Sequence, residues 1–133
     1  MTPTVLGTAA STRTQRVLLT LEELGIDYDL KVVDLSKGQH HVREGTDSGE
    51  AKSLRHHRTR NMSETIILFQ DDGIEIFESR AIARYLAVKH KSHLAPPSDD
   101  PGALAVFEQA ASVEYAYFEP AVSTLGFELI FKK

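Results

Sequence analysis

The pair Glu78-Ser79 stands where a short alternating run, Gly73 to Phe77, passes directly into the helical pattern of Ser79 to Lys89. Serine is a residue type of helix N-caps, and the backbone N–H groups behind it face whatever anion lies at that end. A carboxylate beside an anion-binding helix start suits an α-amino acid group, with Glu78 on the ammonium and Ser79 with the first amides on the carboxylate. An ordinary capped helix uses the same residues, so this segment alone leaves both readings open. With zero cysteines, the chain has no disulfide framework, no thiolate metal site and no cysteine nucleophile. Any thiol chemistry must use a thiol that the substrate brings.

Two other clusters carry reactive residue types. His40-His41 and His56-His57 offer imidazoles to a metal, but adjacent histidines rarely point the same way and no thiol completes the set, so no metal is expected. Arg55-His56-His57-Arg58-Thr59-Arg60 is basic enough to touch phosphate, yet it is short and no aromatic residue is interleaved, which favours a solvated loop. A net charge of −4 also argues against nucleic acid or an anionic membrane as a partner. No apolar run approaches a membrane span, and MTPTVLGTAAS lacks the pattern of a signal peptide, so a soluble, cytoplasmic protein is expected.

At 133 residues the chain makes one domain, or one domain and part of a second. Thr4-Val5-Leu6, ended by Gly7, reads as a buried strand. Ser11 opens a helix with Val17, Leu18, Leu21 and Leu24 at helical spacing, and Gly25 stops it. Ile26 to Val33 alternates and reads as a second strand, so these elements make a βαβ unit with parallel strands and a right-handed crossover. Thr65 to Phe69, the turn Asp71-Asp72-Gly73 and Ile74 to Phe77 read as a β-hairpin, and Ser79 to Lys89 as a helix with Ile82, Tyr85 and Leu86 on its inner face. The order βαβ then ββα predicts a mixed four-stranded sheet with helices packed on it. Val42 to Asn61 is charged and aperiodic, which predicts a loop or disordered excursion. Residues 90–101 read as a linker. From Gly102, Leu104, Phe107, Ala111, Phe118, Val122, Leu125 and Leu129 mark a long amphipathic helix, with a bend or break expected at Pro120.

Several motifs in order resemble a glutathione S-transferase, in particular the phi-like class of plants and fungi. They are Ser11-Thr12-Arg13-Thr14-Gln15-Arg16-Val17, Val33 to His40, Asp71-Asp72-Gly73, Phe77 to Tyr85, and Phe107 to Glu114. The resemblance implies an α/β fold: a thioredoxin-like βαβ-ββα domain at 1–89, the linker 90–101, and at 102–133 the start of the family's all-α C-terminal domain. It implies glutathione as co-substrate with no cofactor, a small electrophile as second substrate, and a homodimer. Ser11 matches the serine that holds the sulfur of glutathione, with Thr12 beside it. Gln39 and His40 match positions near the glycyl carboxylate, and Glu78 and Ser79 match the pair on the γ-glutamyl group. Thr65 and Ile66 stand where the backbone contacts to the cysteinyl part fall. As a cap, Ser11 serves the helix alone.

The sequence departs from the family pattern in two places. The family's Pro-Phe-Gly-x-Val-Pro stretch, whose last proline is cis, is absent before the hairpin, and Ile67 occupies that proline's place. The peptide bond before Ile67 is therefore expected trans, because cis costs about 2.5–4 kcal/mol before a non-proline residue. The helical domain is represented only by its beginning. The resemblance thus implies a glutathione transferase with weakened activity. The alternative is a non-catalytic interaction module of the same fold.

Overall fold

A computed structural model describes residues 2–32 and 67–132. Gln39, His40, Thr65, Ile66, the segment Val42–Asn61 and the peptide bond before Ile67 lie outside the described residues. Two compact units divide the chain, Met1–His90 and Lys91–Lys133.

In the first unit, strand β1 (Thr4–Gly7) leads into helix α1 (Thr12–Glu23), and strand β2 (Asp29–Val32) follows. The β1–β2 pair is parallel, with Val5 opposite Leu30, as a helical crossover between the two strands requires. Gly25, at φ 63°, ends α1 in a Schellman turn: its N–H donates to Glu22 O at 3.0 Å and that of Ile26 to Leu21 O at 3.0 Å. This closure corrects the expected strand start. The amide of Ile26 is committed to the helix end, so pairing with β1 begins only at Asp29.

Strands β3 (Leu68–Asp71) and β4 (Ile74–Phe77) form the hairpin, with Asp72 at φ 46° and Gly73 at φ 79° in a two-residue turn of type I′. β3 lies antiparallel to β1, Val5 opposite Phe69, and the sheet order is β2-β1-β3-β4. Ile67, expected within the strand, precedes it. Helix α2 (Ser79–Lys89) returns and packs against α1. One core of Val5, Val17, Leu21, Ile67, Phe69, Ile82 and Leu86 joins the sheet to both helices. This is the mixed four-stranded, thioredoxin-like arrangement read from the sequence.

From Pro101 onward the second unit is one long helical run. Helix α3 (Pro101–Val113) starts with Pro101 in its first turn, and Asp100 caps it by accepting from Ala103 N–H at 2.9 Å. The run continues through a π-helical turn (Glu114–Phe118), helix α4 (Glu119–Gly126) and a second π-helical turn (Phe127–Phe131). It does not break at Pro120. The wide turn falls just before the proline, and such a turn is where a missing N–H and a crowded carbonyl are accommodated. No side chain of α3 or α4 is fully buried, and Leu125, Phe118 and Leu129 stand 58–60% exposed. Among the described residues, no helix is long and apolar enough to cross a membrane.

Candidate functional site

The end of β1 sets the first part of the site. A β-carbon at Gly7 would stand 2.6 Å from Thr14 Oγ1, so only glycine lets α1 approach the strand this closely. Thr14 is fully buried and, among the described residues, its hydroxyl has no hydrogen-bond partner. The connecting turn is fixed from within: Ser11 N–H donates to Thr8 O, and Gln15 Nε2 reaches back to Ala9 O, both at 2.9 Å. Ser11 then takes the N-cap position of α1 in extended backbone, half-buried, and its side chain makes no capping hydrogen bond. The cap reading therefore accounts for the backbone of Ser11 but leaves its hydroxyl unused by the helix. Thr12, the first helical residue, is exposed.

The second part lies where β4 meets α2, and here the structure corrects one expectation. Glu78, not Ser79, is the N-cap: the first helical bond runs from Ile82 N–H to Glu78 O at 3.0 Å. Glu78 is exposed and holds φ 71°, ψ 105°. A non-glycine residue in such a region costs on the order of 1–3 kcal/mol, and strain of this kind collects at ligand sites and switches. Because Glu78 turns the chain so sharply, Ser79 becomes the first residue of the helix and points inward, only 2% exposed. Its Oγ accepts a hydrogen bond from Arg16 Nη1 at 2.6 Å.

Arg16 is the residue that sequence reasoning missed. It lies on α1, one and a half turns beyond Ser11, and it ties the helix that begins at Ser11 to the first residue of α2. The sequence separation of 63 residues leaves no local pattern that would pair the two.

A separate ionic cluster secures the far end of α2. Lys89 donates to the buried carboxylate of Asp71 and, at 2.7 Å, to Asp72, while Tyr85 Oη donates to Asp71 at 3.1 Å. Hydrogen bonds to Asp71 and Asp72 push the Lys89 ammonium above its ordinary range. The bond from Lys89 in turn holds the Asp72 carboxyl below its ordinary value. Burial, followed by the bond to Asp71, raises the Tyr85 phenol.

The family model for the glutathione S-transferase N-terminal domain matches residues 1–88. The chain belongs to the glutathione S-transferase family. It is 41% identical over 127 residues to a glutathione S-transferase of Arabidopsis thaliana, covering 94% of this chain and 54% of that protein. A glutathione S-transferase of Hypomyces subiculosus is 40% identical over 129 residues, covering 96% of this chain and 54% of its own length. Among solved structures, glutathione transferase F2 from Populus trichocarpa superposes with a TM-score of 0.74 at 29% identity, over 97% of this chain and 55% of that one. Plant and fungal proteins among these matches agree with the phi-like class of the transferases. The chain spans about half the length of the relatives it matches.

Of the residues that the transferase resemblance singles out, Ser11 and Thr12 open α1 and Glu78 and Ser79 open α2, on two helices that pack together.

Proposed function

We propose that this chain binds glutathione through its first unit and conjugates the thiolate to a small electrophile, with reduced turnover. The observation that carries this reading is the pair of helix starts: a serine hydroxyl at α1 that makes no capping bond, and a strained acid followed by serine at α2, in a chain of the transferase family.

The chemistry follows from the thiol. A cysteinyl thiol with a pKa near 8.5 is only a few per cent thiolate at pH 7, and the thiolate is the nucleophile. Ser11 Oγ–H donates to the sulfur, and the positive end of α1 favours the same anion. The proton leaves to solvent, the sulfur forms a bond to the electrophilic carbon, and the leaving group carries off the bonding pair. Glu78 holds the ammonium of the γ-glutamyl group and Ser79 its carboxylate. Gln39 and His40 take the glycyl carboxylate, and Thr12, Thr65 and Ile66 line the tripeptide. Ile67 in place of proline alters the edge that faces the cysteinyl part, which accounts for the reduced turnover. Residues 1–89 form the glutathione-binding domain, 90–101 the linker and 102–133 a partial helical domain. The chain acts in the cytoplasm as a homodimer, with the exposed apolar side chains of the helical run as its own reason to associate.

Retention on immobilised glutathione, followed by a conjugation assay with a chromogenic electrophile, tests the proposal. Binding with slow turnover supports it. Binding without turnover favours a non-catalytic module of the same fold, and loss of both removes the glutathione reading.

A further inference from the structure

We propose that Arg16 is a positioning residue for the carboxylate of the γ-glutamyl group, acting through Ser79; the proposal rests on the glutathione reading above. A guanidinium has donors only, so in the 2.6 Å contact Ser79 Oγ must be the acceptor. The hydroxyl proton is thereby directed away from Arg16. Among the described residues, no acceptor takes it.

That arrangement has a physical consequence. Ser79 is 2% exposed, and a buried O–H without an acceptor is unfavourable until something accepts from it. A carboxylate placed at the start of α2 is the strongest acceptor available to it, because the hydrogen bond is then charge-assisted and the first-turn amides add to it. Without Arg16 the hydroxyl is free to rotate and to satisfy itself on nearby backbone carbonyls, as serine commonly does. Arg16 thus holds Ser79 as a donor before the ligand arrives. Its place on α1 adds a geometric role. Five residues of helix separate it from Ser11, roughly 7.5 Å along the axis, so one rigid element carries both the sulfur ligand and the residue that orients the carboxylate ligand.

Calorimetric titration of two ligands tests the assignment: glutathione, and γ-aminobutyryl-cysteinyl-glycine, which keeps the amine but lacks the γ-glutamyl carboxylate. Arg16→Met is expected to weaken glutathione about tenfold and to leave the analogue unchanged. In a Ser79→Ala background the same substitution should add nothing. Arg16→Lys, which keeps one charged donor, should bind glutathione with intermediate strength, and it provides the same comparison of ligands if Arg16→Met does not fold. Equal weakening of both ligands, or of neither, overturns the positioning role while leaving the glutathione reading intact. If the unmodified chain binds neither ligand, the glutathione reading itself fails and the role of Arg16 falls with it.

Discussion

The hydroxyl of Ser11 occupies a cap position without capping, which separates two effects that a substitution usually mixes. Ser11→Ala should lower the conjugation rate by roughly 10²–10³, the cost of losing one donor to a developing or resident anion. The melting midpoint should move little, because the usual loss of about 1 kcal/mol belongs to a capping bond that is not made here. Conjugation kinetics and thermal unfolding on the same sample check both halves. Thr14 gives the opposite case. Its hydroxyl is buried beside Gly7 without a partner among the described residues, so Thr14→Val, nearly equal in shape, should stabilise the fold by about 1 kcal/mol in denaturant titration. At this scale the sequence was legible wherever a residue acts through its own backbone. Ser11 at a strand-to-helix turn is one such residue. Ser79 was misplaced by one position because the sign of φ at Glu78 is set by how β4 enters α2, which no residue type announces for glutamate. Arg16 was invisible because its partner is distant in the chain.

Among the elements, α2 is held at both ends by different physics, and the end away from the candidate site responds to pH. Lys89 is raised above its ordinary 10.5, so its contribution is fully present below that value and is lost as pH climbs through the elevated folded value. Asp72 is lowered from 3.8, so its contribution is present above that value and fades as pH falls through the depressed one. The cluster therefore supports the hairpin and α2 evenly across neutral pH and weakens at both extremes. Lys89→Met should lower the midpoint at pH 7 and flatten both arms of its pH dependence, measured by circular dichroism from acid to alkaline buffer. Gly73→Ala tests the hairpin turn itself: at φ 79° an alanine should cost about 1 kcal/mol, although nothing obstructs its β-carbon. The hairpin was readable because Asp-Gly between alternating runs has a local mechanism. The start of β2 was not, since Ile26 alternates like a strand residue while its amide closes the preceding helix. Pro120 shows the same competition: the residue predicts a bend or break, and a widened turn before it lets the helix continue.

At the scale of the whole molecule, βαβ followed by ββα specified the sheet because each connection permits one kind of neighbour: a helical crossover makes β1 and β2 parallel, and a two-residue turn makes β3 and β4 antiparallel. The placing of β3 beside β1 came from a non-local contact, Val5 against Phe69, which the two apolar runs make favourable without spelling out the register. The two units also give ligand binding a distinct signature. Glutathione, if it binds as proposed, contacts residues of the first unit, whose native state alone gains its free energy. At ten times the dissociation constant the gain is about 1.4 kcal/mol, and in a unit of this size that corresponds to a shift of roughly 5–10 °C. Thermal unfolding of the full chain should therefore show a midpoint that climbs with glutathione concentration, at the logarithmic rate set by one site. Oxidised glutathione blocked at sulfur offers an internal control, because it keeps both γ-glutamyl groups and lacks the thiol that Ser11 would hold. A smaller climb with it isolates the sulfur contact, whereas an unmoved midpoint with tens of millimolar of either form removes the tripeptide site from this chain.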